Sequence, residues 1–302
     1  MIVKSRKKSG ELLILDSLNK RMELNEKYKS RLYTLQKGYE GEVLFESYIA
    51  KQQSCCFVLS DLFLLSNSTH FQLDSIIITL DKIHLFEVKN IEGDYYYDTT
   101  TDRISSVTKE ILNPFSQVVR AEMLLRQLLL VHNIHLPIDY NVVFINPEFM
   151  LYNAPSNKPF IFPTQVNRYL KQFSNKALDN PNKNRHVAEK LLSLHTSDSK
   201  FWQIPAYVYG DLKKGITCEI CRSFMIKIEG QSCVCERCGY RELVSSAVMR
   251  SVEELKLLFP EEKITTNLVF DWCRGIVSSR TILRILERNF TKIGKTRAAY
   301  FI

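Results

Sequence analysis

The fold is decided by two neighbouring apolar stretches, His-Phe-Gln-Leu-Asp-Ser-Ile-Ile-Ile-Thr-Leu at residues 70–80 and Ile-His-Leu-Phe-Glu-Val-Lys-Asn at residues 83–90. Both stretches are rich in β-branched and aromatic residues, a composition that predicts two β-strands. The two residues between the predicted strand ends, Asp81 and Lys82, are typical of a tight turn. The sequence therefore predicts an antiparallel hairpin here.

The polar residues of this hairpin are predicted to share one face of the sheet. Glu87 and Lys89 are separated by one residue, so their side chains point the same way in a strand. With a two-residue loop, Asp74 lies opposite Lys89 and diagonal to Glu87, on that same face. A register slip of one residue would move Asp74 to the other face. The predicted site thus depends on the length of the loop.

Two carboxylates and one ammonium group on a common face suit the hydrolysis of a phosphodiester. Mg²⁺ takes oxygen ligands, often one or two carboxylates together with water and substrate phosphate. A bound cation lowers the pKa of its water and stabilises charge on the phosphoryl oxygens, and a nearby lysine can orient that water. The alternative is an edge hairpin that carries a surface ion pair, because the pattern Glu-x-Lys occurs often by chance.

Further motifs surround the hairpin. They are Lys37-Gly-Tyr-Glu-Gly-Glu42, Phe71-Gln-Leu-Asp74, Leu85-Phe-Glu-Val-Lys-Asn90 with Gly93, and Asn113-Pro114 with Gln117. In order and spacing this region, about residues 37–150, resembles the PD-(D/E)xK nuclease superfamily and, more narrowly, the nuclease-related domain (NERD) family. The resemblance implies an α/β fold with a restriction-endonuclease-like core, a mixed sheet flanked by helices. One departure from the family pattern is that leucine, not proline, precedes Asp74.

The resemblance also implies roles for the hairpin residues. Asp74 and Glu87 would bind Mg²⁺ or Mn²⁺, with the Val88 carbonyl as a further ligand, and Lys89 would be the catalytic lysine. Some superfamily members have lost activity, so the resemblance alone does not establish catalysis.

Two predicted helices carry the remaining candidate residues. Glu42 lies near the start of a helix at residues 38–52, and the resemblance makes it the acidic residue of the first core helix. The alternative is a solvated glutamate favoured by the helix dipole. Asn113 and Pro114 predict the start of a second helix over residues 115–131. Gln117 then lies in its first turn and, by resemblance, is a site residue.

A second metal site is predicted by two Cys-x-x-Cys pairs. Cys218 and Cys221 are followed, after thirteen intervening residues, by Cys235 and Cys238. This spacing predicts a zinc ribbon with a structural Zn²⁺ on four thiolates. Cys233 is an alternative ligand to Cys235. The disulfide alternative is weaker, because no signal peptide begins the chain and eight cysteines in 302 residues are too few for a disulfide scaffold.

The end of the chain is predicted to be helical. Helical patterns cover residues 252–258, 266–274 and 279–289, and the last of these carries Arg280, Arg284 and Arg288 on one stripe. A helix, a short turn and a basic helix can form a DNA-binding helix-turn-helix. The alternative is a helical cap whose arginines are simply solvated.

Composition favours a nucleic-acid partner without requiring one. The chain of 302 residues has a net charge of +8 and a pI near 9.0, and a basic surplus attracts polyanions. We expect no membrane span, since no uncharged apolar run approaches about 18 residues, and we expect a cytoplasmic protein. Residues 1–10 are predicted to be a flexible basic tail. A long helix at residues 11–35 packs either on the nuclease core or on a second copy of the chain, as a homo-oligomer.

We therefore predict a metal-dependent nuclease that hydrolyses DNA, either in repair and processing or in defence against foreign DNA. The alternatives are a ribonuclease and an inactive nucleic-acid-binding or assembly module with a nuclease-like fold. The predicted segments are a basic tail and helix at residues 1–36, the nuclease core at 37–150, a helical connection at 151–210, the small zinc ribbon at 211–245 and a helical C-terminal module at 246–302.

Overall fold

The computed structural model describes residues 2–52, 56–173, 184–196, 201–295 and 299–302. The chain divides into two compact units that are interleaved along the sequence. Unit 1 comprises Met1–Lys8 and Tyr33–Trp202, and unit 2 comprises Ser9–Leu32 and Gln203–Ile302. We predicted consecutive segments instead, and their boundaries stay a prediction.

The N-terminal region differs from the prediction in two ways. Residues 2–4 are not a flexible tail but strand β1 (Ile2–Lys4), which pairs in parallel with the first long strand of unit 1. The single helix predicted at residues 11–35 is two helices, α1 (Gly10–Arg21) and α2 (Glu26–Ala50). The break has a local cause, because the Asn25 side chain accepts a hydrogen bond from the backbone N–H of Tyr28 at 3.1 Å and so begins α2.

Unit 1 is built on a mixed six-stranded sheet, as the α/β prediction requires. Its order is β1-β2-β3-β4-β8-β10, with antiparallel pairs within β2-β3-β4 and parallel pairs elsewhere. A second sheet has the order β7-β6-β5-β9. The strands are β2 (Phe57–Ser66), β3 (Thr69–Ile78), β4 (Ile83–Lys89), β5 (Gly93–Asp98), β6 (Arg103–Ser105), β7 (Glu110–Ile111), β8 (Ile138–Phe144), β9 (Phe149–Tyr152) and β10 (Phe160–Ile161).

The hairpin β3–β4 exists, but its register is not the predicted one. The pairs Ser75–Phe86 and Ile78–Ile83 leave a four-residue connection at residues 79–82, not a two-residue loop. The longer turn is stabilised by Thr79, whose backbone N–H donates to the Lys82 carbonyl at 2.9 Å. The shift amounts to two residues, which preserves the face of every side chain. If this register is continued by one more pair beyond Ser75–Phe86, Asp74 lies opposite Glu87 rather than opposite Lys89.

Helices cover both faces of the large sheet. They are α2, α3 (Pro114–Val131), α4 (Val166–Leu170) and α5 (Arg185–Ser193). Leu125 of α3 packs in one core, and Phe45 of α2 packs in a second core formed by the alternate residues of the same strands. The predicted start of α3 is confirmed, because the Asn113 side chain accepts from Phe115 N–H at 3.0 Å and Pro114 follows it.

Unit 2 contains a three-stranded sheet and a helical C-terminal module. The strands are β11 (Ile226–Glu229), β12 (Ser232–Cys235) and β13 (Arg241–Leu243). The module contains α6 (Val244–Leu258), α7 (Thr266–Trp272), α8 (Ser279–Asn289), β14 (Lys292–Ile293) and β15 (Tyr300–Phe301). The first module helix is thus longer than predicted. Across the described parts of both units, no helix has the length and apolar character needed to cross a membrane.

Candidate functional site

The six residues predicted for the nuclease site all line one cavity of unit 1. The cavity has a volume of about 550 Å³. It lies beside the middle of β3 and the end of β4, where α2 and α3 approach these strands. The residues are Glu42, Asp74, Glu87, Val88, Lys89 and Gln117. Their catalytic and ligand roles remain predictions, but their convergence is a property of the fold.

The middle of β3 and the end of β4 hold the central pair of carboxylates, Asp74 and Glu87. Asp74 Oδ2 accepts a hydrogen bond from the Val88 backbone N–H at 2.9 Å, which fixes one oxygen and leaves the other available. Lys89 Nζ donates to Glu87 Oε1 at 2.7 Å, as expected for side chains that share a face. Glu87 and Lys89 are both largely buried, with side-chain exposures of 14% and 26%.

Glu42 reaches the cavity because α2 approaches the sheet very closely. A Cβ atom placed on Gly41 would lie only 2.4 Å from Asn90 Cβ and 3.1 Å from Ile145 Cγ2. The helix is also tied to the end of β4, since the Asn90 side-chain amide donates to the Lys37 carbonyl at 2.7 Å. The absence of a side chain at Gly41 therefore allows the next residue, Glu42, to lie beside the carboxylates of β3 and β4.

The site contains two residues that the sequence did not reveal to us. Arg6, just after β1, places Nη2 at 2.5 Å from Glu42 Oε2 and Nη1 at 2.8 Å from Asp61 Oδ1, and its side chain is only 10% exposed. Asp61 lies opposite Asp74 at a break in the β2–β3 ladder and has a positive φ of 56°. Asp61 interrupts an apolar strand much as Asp74 does, and this pattern could have predicted that Asp61 belongs to the site. No feature of the sequence around Arg6 marks it as a site residue, since it lies in an ordinary basic run.

The carboxylates perturb one another strongly. Burial, followed by the charge of Asp74, raises the pKa of Glu42 to about 9, although Arg6 opposes the increase. Burial and Asp74 likewise raise the pKa of Glu87 to about 7, against the effect of Lys89. Burial alone would lower the pKa of Lys89, but the acidic neighbours Glu87 and Asp74 raise it above its usual value. The acidic side chains of this cavity therefore bring more negative charge together than Arg6 and Lys89 neutralise.

The donor set fits a hard divalent cation. Among the residues that the structure describes, the buried atom Gln117 Oε1 has no hydrogen-bond partner. The same holds for Glu42 Oε2, whose contact with Arg6 is an ion pair lacking hydrogen-bond geometry. Buried oxygens normally have donors, so such atoms call for an explanation. Carboxylate and amide oxygens are ligands that Mg²⁺ and Mn²⁺ accept, and a cation would also relieve the repulsion between Asp74 and Glu87.

The cysteine site of unit 2 fits zinc. Cys218, Cys221, Cys235 and Cys238 place their sulfur atoms within 4.8 Å of one another. The Cys218–Cys238 and Cys221–Cys235 sulfur distances are 3.6 and 3.5 Å. A tetrahedral ion with Zn–S bonds of about 2.3 Å requires sulfur separations of about 3.8 Å. Cys233 is buried in β12 outside this set, and burial raises the pKa of its thiol to about 11. The predicted zinc ribbon thus has a matching four-cysteine cluster.

The three predicted DNA-contacting arginines lie together on α8 of unit 2. Arg280, Arg284 and Arg288 are all exposed. The structure confirms that they share one helix face, and their contact with DNA stays a prediction.

One comparison with known proteins bears on the cavity. Residues 37–145, a little over a third of the chain, match the family model of the nuclease-related domain, NERD. This match confirms the resemblance predicted from the motifs. It covers all six cavity residues, the whole of α3 and part of α2. No curated protein and no solved structure gave a match.

Proposed function

We propose that the nuclease-related domain at residues 37–145 is a divalent-metal-dependent nuclease that hydrolyses DNA phosphodiester bonds. The observation that carries the proposal is the convergence of Glu42, Asp74 and Glu87 on one cavity with Lys89. Three partly buried carboxylates repel one another, and a divalent cation between them would remove that cost. DNA repair or processing and defence against foreign DNA are both processes that need such an activity.

The residues of β3 and β4 would have two roles, metal binding and water positioning. Asp74 and Glu87 would hold Mg²⁺ or Mn²⁺, with the Val88 carbonyl as a further ligand. A bound divalent cation lowers the pKa of its water and neutralises charge on the phosphoryl oxygens. Lys89, whose pKa is raised by Glu87 and Asp74 against the effect of burial, stays protonated. Its ammonium group would orient the attacking water and balance the charge that develops on phosphate.

The helical residues would complete the site. Glu42 would assist in binding the metal or the water. The Gln117 amide oxygen, which has no partner among the described residues, would accept a hydrogen bond from a bound water. Arg6 would hold Glu42 in place from the opposite side. The zinc ribbon has a different role. A zinc site of four thiolates has no coordination position open to water or substrate, so its Zn²⁺ stabilises the fold.

The experiment is a cleavage assay on the full chain with Mg²⁺ or Mn²⁺. Its substrates are linear, circular and single-stranded DNA and RNA. We expect Asp74→Asn and Lys89→Met to lower the rate by about 10²-fold or more, because each removes a group that stabilises the transition state. Binding of Mn²⁺, measured by calorimetry, should weaken in Asp74→Asn and persist in Lys89→Met. That difference separates the metal ligand from the group that positions water.

Lys82→Met is the matched control. Lys82 lies at the other end of the same hairpin and pairs with the exposed Asp139 at 2.7 Å, so its loss should leave cleavage unchanged. The proposal fails if the wild-type chain cuts no substrate with either metal, or if Asp74→Asn and Lys89→Met cut at the wild-type rate. Failure to cleave with intact DNA binding would instead favour a non-catalytic nucleic-acid-binding module. Cleavage of RNA alone would favour a ribonuclease.

A further inference from the structure

The C-terminal module of unit 2 is three packed helices closed by a small hairpin. Helices α6, α7 and α8 contact one another pairwise, and their buried residues include Val248, Val269 and Leu286. Strands β14 and β15 then pair antiparallel. Ile264, which precedes α7, pairs with Phe301 of β15 and so attaches the hairpin to the helices. This arrangement buries one face of α8 and leaves the opposite face to solvent.

The solvent face of α8 carries three arginines in a row. Ile282 and Leu286 are fully buried, whereas Arg280, Arg284 and Arg288 are all exposed. Within the described part of the chain, none of these three arginines has an ion pair or a side-chain hydrogen bond. Positions four apart fall on one helix stripe, and the row from the first to the last is about 12 Å long at about 1.5 Å per residue.

Most of the net charge of the chain lies in this region. Residues 263–302 contain eight Lys and Arg but only two Asp and Glu, a surplus of six out of the total of +8. Both acids are engaged elsewhere. Glu287 pairs with Lys292 at 3.0 Å, and Asp271 accepts a hydrogen bond from the Tyr209 hydroxyl at 2.6 Å. Neither acid within residues 263–302 therefore neutralises the arginine row, although solvated arginines on a helix are common.

We propose that α8 binds in the major groove of duplex DNA, with Arg280, Arg284 and Arg288 on phosphates and base edges. The major groove of B-DNA is about 12 Å wide and admits an α-helix. Guanidinium groups bind phosphate or guanine through two parallel hydrogen bonds. The narrow major groove of A-form RNA excludes such a helix. A membrane surface is disfavoured because the exposed face of α8 lacks the apolar residues that insert between lipids.

This surface lies in a different unit from the cavity, and its binding needs no cleavage and neither Mg²⁺ nor Mn²⁺. The two proposals can therefore fail separately. DNA binding by the zinc-loaded chain without added Mg²⁺ or Mn²⁺ tests the module alone, whereas cleavage that depends on Mg²⁺ or Mn²⁺ tests the cavity.

The experiment measures fluorescence anisotropy of a labelled DNA duplex with the zinc-loaded full chain, without chelator and without added Mg²⁺ or Mn²⁺, at several salt concentrations. The test variant replaces Arg280, Arg284 and Arg288 by Gln. If each arginine raises the affinity for the duplex about fivefold, the loss of all three should lower that affinity by about 100-fold. The slope of log affinity against log salt should fall by about 0.9 for each of the three arginines that contacts a phosphate, and so by about 2.7 at most. The single change Arg284→Gln should give about a fivefold loss, and because its side chain is exposed it should not affect folding.

The matched control removes the same charge elsewhere, by changing Lys27, Lys51 and Lys171 to Gln; all three lysines are exposed. We expect it to retain most of the affinity. The proposal is overturned if the arginine variant binds as tightly as the wild type, or if the lysine control loses as much, which would indicate a general charge effect. Tighter binding of single-stranded DNA or duplex RNA than of duplex DNA by the wild type would also overturn it.

Discussion

The closest packing in the candidate site is at Gly41, and Gly41→Ala tests whether that packing positions Glu42. The new Cβ would lie 2.4 Å from Asn90 Cβ and 3.1 Å from Ile145 Cγ2. Non-bonded carbon atoms normally lie about 3.5–4.0 Å apart, so the gap is too small by roughly 1.1 Å or more. Asn90 Cβ is attached directly to the backbone and cannot move away by a side-chain rotation. Helix α2 must therefore shift outward at this point.

The expected cost follows from two opposing terms. Forcing a methyl group into a packed interface costs about 1–3 kcal/mol, and the anchored neighbour at Asn90 favours the upper part of that range. Replacing Gly by Ala within a helix recovers about 0.5–1 kcal/mol. We expect a net loss of about 1–2 kcal/mol in the free energy of unfolding of unit 1. A displacement of Glu42 by about 1 Å would in addition lower cleavage by about 10²-fold.

The same helix offers a matched control. A Cβ on Gly38 would have Glu42 Oε1 as its nearest neighbour at 3.9 Å, an ordinary contact. Gly38→Ala should therefore stabilise the protein by about 0.5–1 kcal/mol. The assay is urea unfolding of both variants, followed by cleavage with Mg²⁺ or Mn²⁺. If Gly41→Ala is as stable and as active as Gly38→Ala, the close approach of α2 does not position the site and our reasoning is refuted.

Three further predictions concern the charges and the zinc. Arg6→Met leaves Asp61 and the Glu42 carboxyl group without their partner and should cost about 1–3 kcal/mol in urea unfolding, with Mn²⁺ restoring part of the loss; an unchanged midpoint would contradict this. Without chelator and without added Mg²⁺ or Mn²⁺, the free energy of unfolding should fall as pH rises from about 5 to about 9, because the folded protein keeps protons on Glu87 and Glu42, whose pKa values of about 7 and about 9 exceed the ordinary 4.5. Glu42→Gln should reduce that slope, and an equal slope would count against the pKa argument. Cys235→Ser should lose bound zinc and Cys233→Ser should keep it, as measured by atomic absorption; equal zinc content in the two variants would show that our ligand assignment is wrong.

Local chemistry was enough to predict the elements that carry the site. Alternating apolar residues around Asp74 and Glu87 predicted both strands, and Asn113 followed by Pro114 predicted the start of α3. Cysteine spacing predicted the zinc cluster of unit 2. These features depend on residues close together in sequence, whose conformations are set by propensity, alternation and capping. The loop length was wrong by two residues, yet the shared face survived because a strand repeats every two residues.

The sequence by itself thus determined which side chains are chemically suited to the site and which faces of their strands and helices they occupy. Only the tertiary structure decided that Arg6 lies against Glu42 and that Asp61 lies opposite Asp74. It also decided that Gly41 allows α2 to approach Asn90. The physical reason is that these contacts join residues far apart in the chain, so they depend on how β1, α2 and the sheet pack together. No local pattern of charge or hydropathy encodes that packing.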